Sequence, residues 1–148
     1  MKNPGICAAL AAMVLASVSC DPARYMEGAW DPIEMDKAEV HFTAEGGEET
    51  VTVLNYSSWW MHYGYEDTYF EGGSLKYVNS VSATSSGGPD TYTYDLLDGG
   101  WYHAVVPEKS RSNKLVITVD PNTTSASRHA TIHLSVGDAF GSVRIIQD

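Results

Sequence analysis

The sequence predicts an all-β domain, an antiparallel β-sandwich of seven to eight strands, and three observations carry that prediction. Apolar residues alternate with period two in short runs, most plainly Leu115, Ile117, Val119 and then Ala130, Ile132, Leu134, Val136. Turn residues such as Gly46-Gly47, Asp98-Gly99-Gly100, Asp120-Pro121-Asn122 and Gly137-Asp138 interrupt those runs at short intervals. No segment shows the period of a helix. Short strands with turns at such spacing make a sandwich of roughly 100 residues.

The first strand spans Glu39 to Thr43, with Val40 and Phe42 on the opposite parity to His41. Gly46-Gly47 leads into a second strand from Glu49 to Leu54, in which Val51 and Val53 alternate with Thr50 and Thr52. Asn55 to Ser58 turns the chain into a third, aromatic strand, Trp59 to Glu66. Period two puts Trp59, Met61, Tyr63 and Tyr65 on one face and Trp60, His62, Gly64 and Glu66 on the other, wetter face. Trp59 therefore belongs to the core and Trp60 to the surface, an assignment that a single bulge would reverse.

Asp67 to Gly73 reads as an acidic, aromatic turn, and Leu75 to Val81 as a weakly patterned strand. Ser82 to Asp90, rich in Ser and Gly and closed by Pro89, is a loop. Thr91 to Tyr94 and Trp101 to Val106 are two further strands, followed by a polar connection from Glu108 to Asn113. Leu115 to Val119, Ala130 to Val136 and Ser142 to Gln147, with Val143 and Ile145 inward, complete the set.

Ahead of the domain stands an address. Met1 to Ser19 has one basic residue, Lys2, an apolar run from Ile6 to Val18, and small residues before Cys20. Such a run covers only about 20 Å as a helix, short of the roughly 30 Å bilayer core, so a cleaved signal is the expectation. The cysteine placed directly after it resembles the lipobox of bacterial lipoproteins. In that reading Cys20 takes the lipid, Cys7 leaves with the signal, and no disulfide remains. The chain then divides into a signal peptide at 1–19, a tether at 20–38 and a sandwich at 39–148. The expected location is the cell envelope, at the outer membrane, with membrane contact through the lipid on Cys20 alone.

Nine Lys and Arg against nineteen Asp and Glu give a formal charge of -10, which repels phosphate backbones and argues against nucleic acid as a partner. Of the four Trp, nine Tyr and three Phe, twelve fall between Tyr56 and Tyr102. Aromatic faces stack on the C–H faces of sugar rings while neighbouring polar groups bond the hydroxyls, so Trp60, His62, Glu66, Asp67, Tyr69, Trp101 and Tyr102 form the candidate ligand patch.

Other chemistry finds little support. His129 and His133 are four apart, which on a strand is about 13 Å, too far for one metal ion. Asp95 and Asp98, or Glu66, Asp67 and Glu71, could supply two carboxylates, but acidic turns are common. No nucleophile elbow, zinc-protease motif, phosphate loop or calcium loop occurs. The expectation is therefore a protein with no catalytic residues, metal or cofactor.

Trp101, Val106-Pro107, Leu115 to Val119, Asn122, Arg128 to Ile132, Gly137 and Val143 to Gln147 together resemble the BACON domain (Bacteroidetes-associated carbohydrate-binding, often N-terminal). Gly46-Gly47 and Trp59 fit the front of the same pattern, which extends the resemblance over roughly Glu39 to Asp148. The signal and the Trp30-Asp31-Pro32 segment resemble small surface lipoproteins of gut Bacteroidetes. The resemblance implies an immunoglobulin-like sandwich associated with glycan or mucin. It carries no agreed ligand-contact motif, so the candidate patch rests on parity and aromatics. The partner is a glycan or, in the alternative, an envelope protein for which this chain is a structural subunit.

Overall fold

A computed structural model describes residues 31–88, 93–110 and 112–148. The signal segment, Cys20 and Trp30 lie outside the described residues. No helix among the described residues is long and apolar enough to cross a membrane.

Among the described residues, eleven strands form two packed sheets and a separate hairpin. One sheet holds β1 (Glu39–Phe42), β11 (Ala139–Gln147), β10 (Arg128–Val136), β3 (Trp60–Tyr65) and β6 (Val81–Ser82), in that order. The other holds β2 (Gly47–Thr52), β9 (Lys114–Val119), β8 (Tyr102–Val105) and β7 (Leu96–Asp98). The hairpin pairs β4 (Asp67–Glu71) with β5 (Ser74–Val78), and a single helical turn, Pro107–Ser110, precedes β9.

The alternating positions point inward as expected. Leu115, Ile117, Val119, Ala130, Ile132, Leu134, Val143 and Ile145 are buried between the sheets with Val40, Phe42, Val51 and Trp59. Two buried polar side chains close one end of this core. Gln147 donates to the carbonyls of Thr43 at 3.1 Å and Asp120 at 2.9 Å and accepts from Arg128 Nε at 2.8 Å. Asn122 donates to the carbonyls of Ala126 at 2.8 Å and Asp148 at 3.1 Å. Each thus replaces the water it gave up on burial.

Several details differ from the sequence expectation. Among the described residues the strand count exceeds eight, and the sandwich is not wholly antiparallel, because β1 pairs with β11 in parallel. Asp67 to Gly73 is no turn: Asp67–Glu71 is a strand, and only Gly72-Gly73, with φ of 58° and 78°, reverses the chain. In the expected strand Thr91 to Tyr94, Thr91 and Tyr92 lie outside the described residues; Thr93 is in a turn and Tyr94 has φ of 42°, which ends any extended run. The paired strand is Leu96–Asp98, two residues later.

The segment read as a tether packs on the sandwich from Asp31 onward. Ile33 is buried and its N–H donates to the Phe140 carbonyl at 3.0 Å. Met35 bridges to Val53, and the Asp36 N–H donates to the Thr52 carbonyl at 3.0 Å. A side chain at Gly141 would put its Cβ 2.8 Å from that of Ile33, so the glycine is what lets the two segments touch.

A bulge in β3 resets its two faces. His133 pairs with Tyr63 and Leu134 with Met61, so His62 is the extra residue on β3. Trp59 and Met61 are buried as expected, but beyond the bulge Gly64 turns inward while Tyr63 and Tyr65 move to the outer face. The outer-face residues of β3 are therefore Trp60, Tyr63 and Tyr65.

Candidate functional site

Register across three strands builds the site. Phe140 on β11 pairs with Ser135 on β10, which pairs with Trp60 on β3. Directly paired residues project from the same face, so two aromatic rings flank one small hydroxyl. With neighbouring strands about 4.8 Å apart, the two ring-bearing backbones stand roughly 10 Å from each other, and Ser135 leaves the space between them open. A cleft of about 520 Å³ lies there, lined also by His62, Ser82 and Tyr94.

Each lining residue is positioned by ordinary backbone chemistry. Gly137, with φ of 58°, turns β10 into β11, and Ser135 Oγ donates to its carbonyl at 3.2 Å, which holds the hydroxyl at the floor. Tyr94 is brought against β3 by a bond from the Met61 N–H to its carbonyl at 3.2 Å. Its neighbour Asp95 is buried and accepts bonds from the Ser86 N–H at 2.8 Å, Ser86 Oγ at 2.6 Å and Thr93 Oγ1 at 3.2 Å. Burial alone would raise the Asp95 pKa, but these donors outweigh it and hold the carboxyl below the usual range. Asp95 is thus a brace for the loop behind Tyr94.

The seven residues of the candidate patch separate into four places. Trp60 and His62 line the cleft. Glu66 and Trp101 clamp each other at the opposite end of the sandwich: Trp101 Nε1 donates to Glu66 Oε1 at 2.8 Å, Asn79 Nδ2 donates to Glu66 Oε2 at 2.8 Å, and Arg128 stands 4.3 Å above the Trp101 ring. Ser135 lies seven positions along β10 from Arg128, about 23 Å of strand, so this clamp takes no part in the cleft. Asp67 and Tyr69 belong to the hairpin, where Asp67 Oδ1 accepts from the Thr68 N–H at 2.7 Å and Tyr69 is half exposed.

Tyr102 is a correction to the candidate patch. It is fully buried, wedged between Gly64 and Gly99, where an added Cβ would come within 2.7 Å of its hydroxyl and 2.1 Å of its ring respectively. No external ligand can reach it. Burial first, and the Glu66 charge second, push its phenol up to about 12, and its hydroxyl has no partner. Parity within Trp101 to Val106 carried this signal, since Tyr102, Ala104 and Val106 alternate inward.

Tyr94, Phe140, Ser82 and Ser135 were not among the candidates. Phe140 was findable, because an aromatic residue just past a Gly-Asp turn has little chance of burial on a two-residue hairpin. Its partnership with Trp60 was not, because it depends on pairing between segments distant in sequence.

A second aromatic group occupies the neighbouring rows of the same face. His133 stacks on Tyr63 with ring centres 4.7 Å apart and on Tyr65 at 5.5 Å, and Tyr77 of the hairpin covers both tyrosines at 5.5 and 4.9 Å. Burial, and secondarily the charge on His62, lower the His133 pKa. Desolvation, then Tyr77 and Tyr65, push the Tyr63 phenol up to about 12.

Residues 80–148 match the BACON family, described as "Putative binding domain, N-terminal". An NMR structure of a protein from Bacteroides thetaiotaomicron is similar over 83% of this chain and 92% of that one, with 27% identity and a TM-score of 0.54. Among curated proteins nothing matches. The match includes the Tyr94, Ser135 and Phe140 side of the cleft and leaves Trp60 and His62 in front of it. The resemblance read in the sequence is thereby borne out over residues 80–148, which match the BACON family of binding domains.

Proposed function

We propose that this chain is a non-catalytic glycan-binding module of the cell envelope, tethered through lipid on Cys20, that holds a sugar ring between Trp60 and Phe140. The observation that carries the reading is the Phe140–Ser135–Trp60 row. The strands that bear the two rings stand roughly 10 Å apart, and the short Ser135 side chain between them leaves room for one sugar ring in contact with the aromatic side chains. Ser82, His62 and Ser135 stand beside that space with groups able to bond sugar hydroxyls. The binding-domain description of the matched family agrees with a ligand site of this kind.

One shallow slot gives little area, so affinities fall in the range of about micromolar to millimolar. Titration of the purified protein with a panel of oligosaccharides tests the reading. Trp60→Ala and Phe140→Ala each weaken binding about tenfold or more, with thermal unfolding close to that of the parent, because neither ring is in the core. A panel with no binder, or binding indifferent to both substitutions, would remove the proposal.

A second reading, as an interaction subunit of an envelope complex, draws on the hairpin. Phe70 is 78% exposed and pairs with Leu75, 42% exposed, so the hairpin tip presents two apolar side chains to solvent. A specific partner captured by the parent protein and lost with Phe70→Ser, alongside a silent oligosaccharide panel, would favour it.

A further inference from the structure

We infer that the cleft selects neutral sugars and turns away anionic ones such as sialylated or sulfated glycans. The inference rests on the glycan reading above and adds the ligand's charge to it. No described residue lining the cleft is a lysine or an arginine. The cations whose side chains are described are engaged or placed elsewhere. Lys37 lies 2.7 Å from Glu49, Arg144 lies 3.7 Å from Glu39, and Arg128 stands over Trp101. Lys76 is on the hairpin strand β5 and Lys114 begins β9.

A carboxylate or sulfate is most strongly recognised by charge-assisted bonds from Arg or Lys, and the side-chain donors among the lining residues are hydroxyls, an imidazole and an indole. The surrounding field has the wrong sign as well. The chain carries a formal charge of -10, and Asp138 stands exposed next to the lining residue Gly137. An anionic ligand must therefore enter a negative potential and exchange its hydration for weak donors. A neutral pyranose meets no such barrier, because ring stacking and hydroxyl bonding carry no net charge.

The test uses the purified protein and one pool of mucin O-glycans divided in two, one half left intact and the other stripped enzymatically of sialate and sulfate. Matched pairs of N-acetyllactosamine and its sialylated and sulfated forms accompany the pools. The neutral member of each pair binds at least about tenfold more tightly at low salt, and raising ionic strength from about 0.02 to 0.5 M narrows that gap by screening while leaving neutral binding unchanged. Ser82→Arg, which adds a cation at the cleft edge, raises affinity for the anionic member and not for the neutral one. Equal or tighter binding of the anionic forms by the parent protein would overturn the inference while leaving glycan binding standing. Absence of binding to every probe, neutral and anionic, would overturn both.

Discussion

Two adjacent rows on one sheet face separate a filled aromatic surface from an open one. In one row Tyr63 faces His133, and the imidazole stacks on the phenol at 4.7 Å. In the next row Trp60 faces Ser135, and beyond it Phe140 faces Ser135 from the other side. Both rows belong to the same strands, and both carry aromatic rings. The middle residue differs: an imidazole occupies the space at 133, while a hydroxymethyl leaves it empty at 135. Whether a β3 ring packs on its neighbour or is available to a ligand depends here on the β10 residue that faces it, His133 or Ser135, more than on the ring itself.

Substitutions can break or sharpen that contrast. The largest effect belongs to the core beneath both rows. Trp59→Ala removes a fully buried ring and lowers folding free energy by about 3 to 5 kcal/mol in denaturant unfolding, whereas Trp60→Ala, one residue on, leaves the midpoint nearly unchanged. Gly99→Ala comes next, since its methyl meets the Tyr102 ring at 2.1 Å; about 1 to 3 kcal/mol is lost in the same measurement. Ser135→His makes the open row resemble the filled one and costs about tenfold or more in oligosaccharide affinity, read by calorimetric titration. An unchanged affinity in that variant would mean that the slot is not the binding site.

Two smaller effects concern protonation and hydrogen bonding. Burial lowers the His133 pKa, so the folded protein binds the proton less well than the unfolded chain does. Its contribution to stability is full above the ordinary histidine pKa of about 6.5 and is lost as pH falls from there through the lower folded value. Melting temperature compared between about pH 7.5 and 5 shows this slope, and His133→Phe flattens it. Tyr102→Phe removes a buried hydroxyl that has no partner, and the change is neutral or stabilising by up to about 1 kcal/mol.

The core was legible in the sequence because it depends on local alternation. Leu115, Ile117 and Val119, and then Ala130, Ile132 and Leu134, needed only period two. The same rule failed across β3, where the extra residue His62 reversed parity and moved Tyr63 and Tyr65 outward. The hairpin was written in Gly72-Gly73, whose positive φ values suit a tight reversal, yet the acidic and aromatic residues around it read as a loop. For the site, alternation located Trp60, but only long-range pairing brought Phe140 opposite to it. Trp101 and Arg128, conspicuous in sequence, hold one end of the sandwich shut.

The indole N–H resonances give the most direct test. Titrating a neutral oligosaccharide into the isotopically labelled protein should move the Trp60 Nε1 signal progressively to saturation, while those of Trp59, buried in the core, and Trp101, bonded to Glu66, stay fixed. Movement of Trp101 with Trp60 unmoved would contradict a ligand slot between Trp60 and Phe140.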